Sequence, residues 1–321
     1  MCRNKQIKSA CLAQAAVLVF FALHAAAPHT AAQAQSQLQA SAHFVASGTA
    51  SGLIAAAAPV AAPAPVPAMA ATRTREAGPD RAKPAAQAPA PPCRAPGTLA
   101  RLARPLVHVM RRLTSGAPLT VVAIGSSSTA GAGASSVAAN YPSQLAADLH
   151  EQFPGHDITV LNRGINGEET ENMIARFAAD VVAAHPQLVI WQVGTNSVLR
   201  DRSLERHAQL LHDGIEQLKA INADVVLMDM QYAPAVLAKP ETEGMEDQIA
   251  LVAKSENVDL FGRFAIMHDW SEAQHISFDT FTAPDHLHMN DWGYSCVAKL
   301  LAGAIAEAAA RPITSAAARQ H

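Results

Sequence analysis

The chain has 321 residues, a formal net charge of −3, half its residues hydrophobic and only 5% aromatic. This balance gives no electrostatic case for nucleic acid or an anionic membrane surface, and no run of Lys and Arg supplies one locally. Length alone admits two domains, but alanine inflates the apolar count and much of the first third does not read as a foldable unit.

Residues 1–34 read as a secretory signal: Arg3, Lys5 and Lys8 form a positive start, Ala10 to Ala27 an apolar middle, and Ala32-Gln33-Ala34 a small-x-small cleavage site. Gln14 and His24 interrupt a stretch already short for a span, so cleavage is favoured over a retained anchor and no stable membrane insertion is expected afterwards. The mature protein is expected to be secreted or periplasmic. Cys2 and Cys11 leave with the signal. Cys93 and Cys296 remain as an even pair in an oxidising compartment, where a disulfide is expected. Residues 35–97 are rich in alanine and proline (Pro59, Pro63, Pro65, Pro67) and bury too little to offset their ordering entropy, so they are expected to form a disordered linker. That leaves 98–311 as the folded domain and 312–321 as a flexible tail.

Within the domain, Leu99, Leu102, Leu106, Val109, Met110 and Leu113 have helical spacing, with Pro105 as a kink or boundary. A β-branched run, 119–124, follows and ends in Gly125-Ser126-Ser127-Ser128-Thr129. Asn140 caps a helix carrying Pro142, Leu145 and Leu149. Strand 158–161 empties into a loop holding Arg163 and Asn166-Gly167-Glu168-Glu169, and a helix is expected over 169–184. Strand 188–193 leads into Gly194-Thr195-Asn196-Ser197, near Arg200, and helix 204–220 follows. Strand 225–230 leads to Gln231-Tyr232, then come a helix near 243–256, a short strand at 258–260 and a last helix from about Asn290. Strands alternating with helices imply a parallel sheet covered on both faces. Right-handed crossovers then put every strand's carboxyl end, with Ser127, Gly167 and Asn196 just beyond, on one rim.

Ahead of the last helix stands Asp285-His286-Leu287-His288. With this block the chain resembles the SGNH hydrolases, the GDSL-type esterase superfamily: Gly125-Ser126-Ser127-Ser128-Thr129, Gly167, Gly194-Thr195-Asn196-Ser197 and Asp285-x-x-His288 occur in family order. Ser126 and Ser197 depart from the usual aspartates. The resemblance implies an α/β fold, a three-layer α/β/α sandwich with a central five-stranded parallel sheet of flavodoxin-like kind. It also implies Ser127 as nucleophile, with Ser126 and Ser128 the other candidates, and His288 as base, with His286 the other. Asp285 would orient the base. The backbone N–H groups of Ser127 and Gly167 and the amide of Asn196 would form an oxyanion hole. The chemistry stands on its own terms: a serine hydroxyl needs an imidazole to take its proton, and the oxyanion needs donors. It requires no metal or cofactor. Arg163, Arg200 and Tyr232 sit in or after rim loops and are candidates for substrate contact. Gly131-Ala132-Gly133 lacks the glycine fingerprint and lysine of nucleotide sites.

The expected activity is a secreted serine esterase on a small-molecule or carbohydrate ester, with a small acyl group such as acetyl. The alternatives are an O-acyltransferase on an envelope polysaccharide, a thioesterase or lysophospholipase, and a catalytically idle carbohydrate-binding domain.

Overall fold

The computed structural model describes residues 90–312; the expected signal segment, nearly all of the expected linker and the tail beyond residue 312 lie outside the described residues. Five strands form one sheet: β1 Leu119–Gly125, β2 Ile158–Gly164, β3 Leu188–Gln192, β4 Asp224–Met228 and β5 Asp259–Phe261. Their order is β2-β1-β3-β4-β5 and every pairing is parallel. This is the doubly wound order in which the crossovers change direction between β1 and β3, and the carboxyl ends there open a crevice.

Side chains alternate across each strand, so the apolar runs feed two layers. Val122, Ile124, Val189, Trp191 and Leu227 pack with Leu211 and Ile215 of helix Leu204–Ala220 and Met245 and Ile249 of helix Thr242–Ser255. Val121, Ala123, Ile190, Val226 and Met228 pack on the other face with Leu145 and Leu149 of helix Tyr141–Gln152 and Val297 and Leu301 of helix Asp291–Ala310. All of these are fully buried, and each large aliphatic side chain so removed from water contributes about 1.5–3 kcal/mol. Asn140 caps its helix as expected, its side chain accepting from Ser143 N–H at 2.9 Å.

Three expected elements differ. The first helix is Val107–Ser115, not one starting near residue 98. Pro105 has no N–H and disfavours helix at Arg104; the backbone N–H groups of Ala103 and Arg104 instead donate to Asp259 Oδ1 at 2.7 and 3.0 Å. The helix expected over 169–184 is three short pieces, Thr170–Ala175, Phe177–Asp180 and a 3₁₀ turn Val182–Ala184. The break falls at Arg176, whose guanidinium reaches the carbonyls of Arg163 (2.7 Å) and Gly125 (3.3 Å) while pairing with Glu168 and Asp180. Residues 91–96, placed by composition in the linker, are fastened to the domain. The Trp270 and Trp292 indole N–H groups donate to the carbonyls of Arg94 (2.8 Å) and Pro91 (3.1 Å), and Cys93 is disulfide-bonded to Cys296. The buried Trp270 indole and the half-buried Trp292 indole need acceptors, and this segment supplies them. Among the described residues no helix is long and apolar enough to cross a membrane.

Candidate active site

The rim is built by the loops after β1, β2 and β3 and by the segment ahead of the last helix. Beyond Gly125 the chain turns at once into a short helix, Ser127–Ala130, which leaves Ser127 half-buried and buries Ser128. Ser126 donates through its N–H and its hydroxyl to Gln192 Oε1 at 2.9 and 3.1 Å, and Thr129 donates to the same oxygen at 3.3 Å. The Ser128 hydroxyl points inward to Gln231. Of the three serines, Ser127 alone faces an imidazole. This turn needs room: a Cβ at Gly164, the last residue of β2, would lie 2.1 Å from the Ala130 nitrogen, so only glycine lets the second strand end against it.

His288 Nε2 lies 2.8 Å from Ser127 Oγ, and His288 Nδ1 lies 2.5 Å from Asp285 Oδ2. His286, by contrast, is exposed and has a left-handed backbone, φ 57°. The loop carrying these residues is pinched shut. Asp285 Oδ1 accepts the N–H groups of Leu287 and His288 at 3.0 and 2.9 Å, Ala283 N–H donates to the His288 carbonyl at 2.8 Å, and Thr282 bridges Met289. Asn290 locks its exit, donating to the Thr280 and Thr282 carbonyls and capping the last helix at Gly293 N–H. Burial pushes the Asp285 carboxyl upward, but the bonds from the His288 ring and from the two backbone N–H groups outweigh it and hold the group below the ordinary carboxylate range. An ionised Asp285 accepting from Nδ1–H fixes the tautomer that leaves Nε2 free to accept from Ser127.

Opposite Ser127 stands the loop after β2. Gly167 adopts φ 79°, a conformation that strains any residue with a Cβ. Among the described residues neither Ser127 N–H nor Gly167 N–H is spent on a protein acceptor. Asn196 donates one amide hydrogen to the Glu168 carbonyl at 2.7 Å, which ties the β3 loop to the residue after Gly167. The remaining candidates separate. Arg200 sits beside Gly167, with Nη2 3.7 Å from where a Cβ would lie, and is held by Glu169 at 2.9 Å. Arg163 donates to the Asp180 carbonyl at 3.4 Å. Tyr232 bonds Glu272 at 3.1 Å and packs among Phe264, His268 and Phe278.

Sequence reasoning passed over Gln192, which anchors the serine turn. The available signal was a polar residue closing the otherwise apolar run Leu188-Val189-Ile190-Trp191.

A doubly wound sheet with a serine turn after β1, a glycine and an asparagine after β2 and β3, and an Asp-x-x-His loop before the last helix defines the SGNH-hydrolase type. The chain belongs to the Non-GDSL lipase-like family, which it matches over residues 92–311. Among solved structures it is similar to a two-domain esterase active on acetylated mannans, at 22% identity and a TM-score of 0.58 over 66% of this chain and 56% of that one. It therefore spans little more than half of that esterase. It is also similar to an acetyl xylan esterase (21% identity, TM-score 0.51, 58% of this chain and 100% of that one) and to TesA (21%, 0.51, 59% and 99%). At these identities the likeness is one of fold. Among proteins of curated function, none matches the sequence.

Proposed function

We propose that the chain is a serine esterase that hydrolyses carboxylic esters through an acyl-serine intermediate. The observation that carries this is the unbroken relay from Ser127 Oγ through His288 to Asp285, at 2.8 and 2.5 Å. Ser127 Oγ attacks the ester carbonyl carbon as His288 Nε2 takes its proton, and Asp285 stabilises the imidazolium. The carbonyl oxygen becomes an oxyanion beside Ser127 N–H, Gly167 N–H and the Asn196 amide. The alcohol leaves with the proton from His288. Water then attacks the acyl-serine, giving its proton to the same nitrogen, and His288 returns that proton to Ser127 Oγ as the acid departs.

The substrate we infer is a small acyl ester, acetyl in the first instance, on a carbohydrate. Two of the similar folds are esterases named for acetylated mannans and acetyl xylan. Arg200, beside Gly167, would border the bound ester. We further place the mature protein outside the cytosol, a reading supported by the signal-like residues 1–34 and by the Cys93–Cys296 disulfide.

The test is hydrolysis of p-nitrophenyl acetate against a longer-chain ester and acetylated glycans, with Ser127→Ala as control. Turnover dependent on Ser127 and favouring acetate is the expected result. Turnover equal in the two proteins would remove the esterase reading.

A further inference from the structure

Behind the rim lies a buried polar cluster centred on Gln231, which follows β4 and is 1% exposed. Its amide oxygen accepts from Thr195 Oγ1 at 3.0 Å, Ser128 Oγ at 3.3 Å and Arg263 Nη2 at 3.0 Å, and its amide nitrogen donates to the Leu287 carbonyl at 3.3 Å. Three donors on one side and a carbonyl on the other fix which way the amide faces. Arg263, fully buried, also donates to the Asp229 carbonyl at 2.6 Å. Asp229 accepts Phe264 N–H at 2.9 Å, and burial beside Asp229 raises the Glu246 carboxyl well above its ordinary value.

Apart from Arg263, the partners of Gln231 come from three rim segments, and each precedes or follows a residue of the proposed site. Ser128 follows the nucleophile Ser127, Thr195 precedes the oxyanion donor Asn196, and Leu287 precedes the base His288. We propose that Gln231 is a positioning residue, a single side-chain amide that sets the mutual spacing of nucleophile, oxyanion donor and base by holding the neighbour of each. This rests on the esterase reading above. The oxygen arm serves the serine turn and the β3 loop; the nitrogen arm serves the histidine loop. The two arms are separable by substitution. Gln231→Glu keeps an acceptor for Thr195, Ser128 and Arg263 but sets a carboxylate oxygen against the Leu287 carbonyl. Gln231→Met removes both arms at similar volume.

Both variants of the full chain are compared with wild type by steady-state kinetics per folded molecule, the folded fraction being taken from circular dichroism and a cooperative melt. Displacing reacting groups by about 1 Å costs on the order of 10²-fold in rate. Gln231→Met is therefore expected to lower kcat about 100-fold with KM changed less than about threefold, and Gln231→Glu about 10-fold. A purely structural role predicts a lower melting temperature with kcat per folded molecule intact. A kcat within about twofold of wild type in either folded variant overturns the proposal. Should wild type itself show no Ser127-dependent turnover, the esterase reading falls separately. The Gln231 assignment then rests on the NMR signal of the His288 Nδ1–H held by Asp285. That signal moves or broadens in the variants if Gln231 positions the loop, and an unchanged signal overturns the assignment.

Discussion

The two ends of the sheet use the same side chains to opposite effect. At the amino-terminal edge, Asp224 and Asp259 open β4 and β5 and are buried. Asp224 Oδ2 accepts the N–H groups of His108 and Val109 at 2.9 and 3.0 Å, and Asp259 takes those of Ala103 and Arg104. Gln187 Oε1 likewise accepts from Thr120 N–H at 3.0 Å. A cavity of about 670 Å³ lies here, yet Arg104 on its wall is committed to Asn257 and the Val258 carbonyl, and Lys219 to Glu256. At the carboxyl rim, Gln192 and Gln231 fasten the loops in the same manner, but among the described residues Ser127 N–H and Gly167 N–H have no protein acceptor. Paired polar groups make a fastening whatever the size of the hollow beside them. A site needs donors held in place and not yet spent.

The sharpest way to break this contrast is at the rim. Asp285→Asn keeps the shape of the histidine loop but favours the wrong imidazole tautomer, and it is expected to lower kcat on the order of 10⁴-fold with little change in melting temperature. Kinetics and a thermal melt on the same sample check both halves.

His207, at the start of helix Leu204–Ala220, is expected to have the next largest effect. It is buried with neither ring nitrogen hydrogen-bonded, and burial pushes its pKa down to about 4 against the pull of Glu169. The unfolded chain binds a proton below about 6.5 and the folded chain only below about 4, so stability is present above that window and is lost as pH falls through it. The loss is on the order of 3 kcal/mol. His207→Leu is expected to flatten this decline, read as the difference between the two proteins' unfolding free energies at pH 7 and pH 4.5. Asp224, raised to about 7 by burial, acts in the opposite direction but is common to both proteins and cancels.

The smallest effect belongs to the amino-terminal edge. Asp224→Ala removes the acceptor of two backbone N–H groups and is expected to cost about 1–3 kcal/mol in denaturant unfolding, while kcat stays within about twofold. A large loss of rate there would erase the distinction between the two ends.

Much of this was legible beforehand, for identifiable reasons. β1, β3 and β4 announce themselves as apolar, β-branched runs because both faces of the sheet are covered there, and the loops at the strands' carboxyl ends follow from the handedness of the crossovers. Ser127, Asp285 and His288 stand in the order of a known pattern, and the geometry brings them together. What stayed hidden depends on partners distant in sequence. Nothing in residues 169–184 tells that Arg176 will leave the helix to serve carbonyls of β1 and β2. Gln192 and Gln231 look like accidental polar residues at the ends of strands until the loops they hold are seen beside them. Residues 91–96 look like more linker until two indoles and a cysteine claim them.

The bond between Cys93 and Cys296 joins positions 203 residues apart, and Ser127, Gly167, Asn196, Asp285 and His288 all fall between them. The site is thus enclosed in a covalent ring. A protease that cuts an exposed turn of that ring, such as the one at Val137, 81% exposed, releases no fragment: the two pieces travel together until a reductant parts them. Cys296 lies on the last helix, so a force transmitted through Cys93 is borne first by that helix and not by the strand that presents the serine.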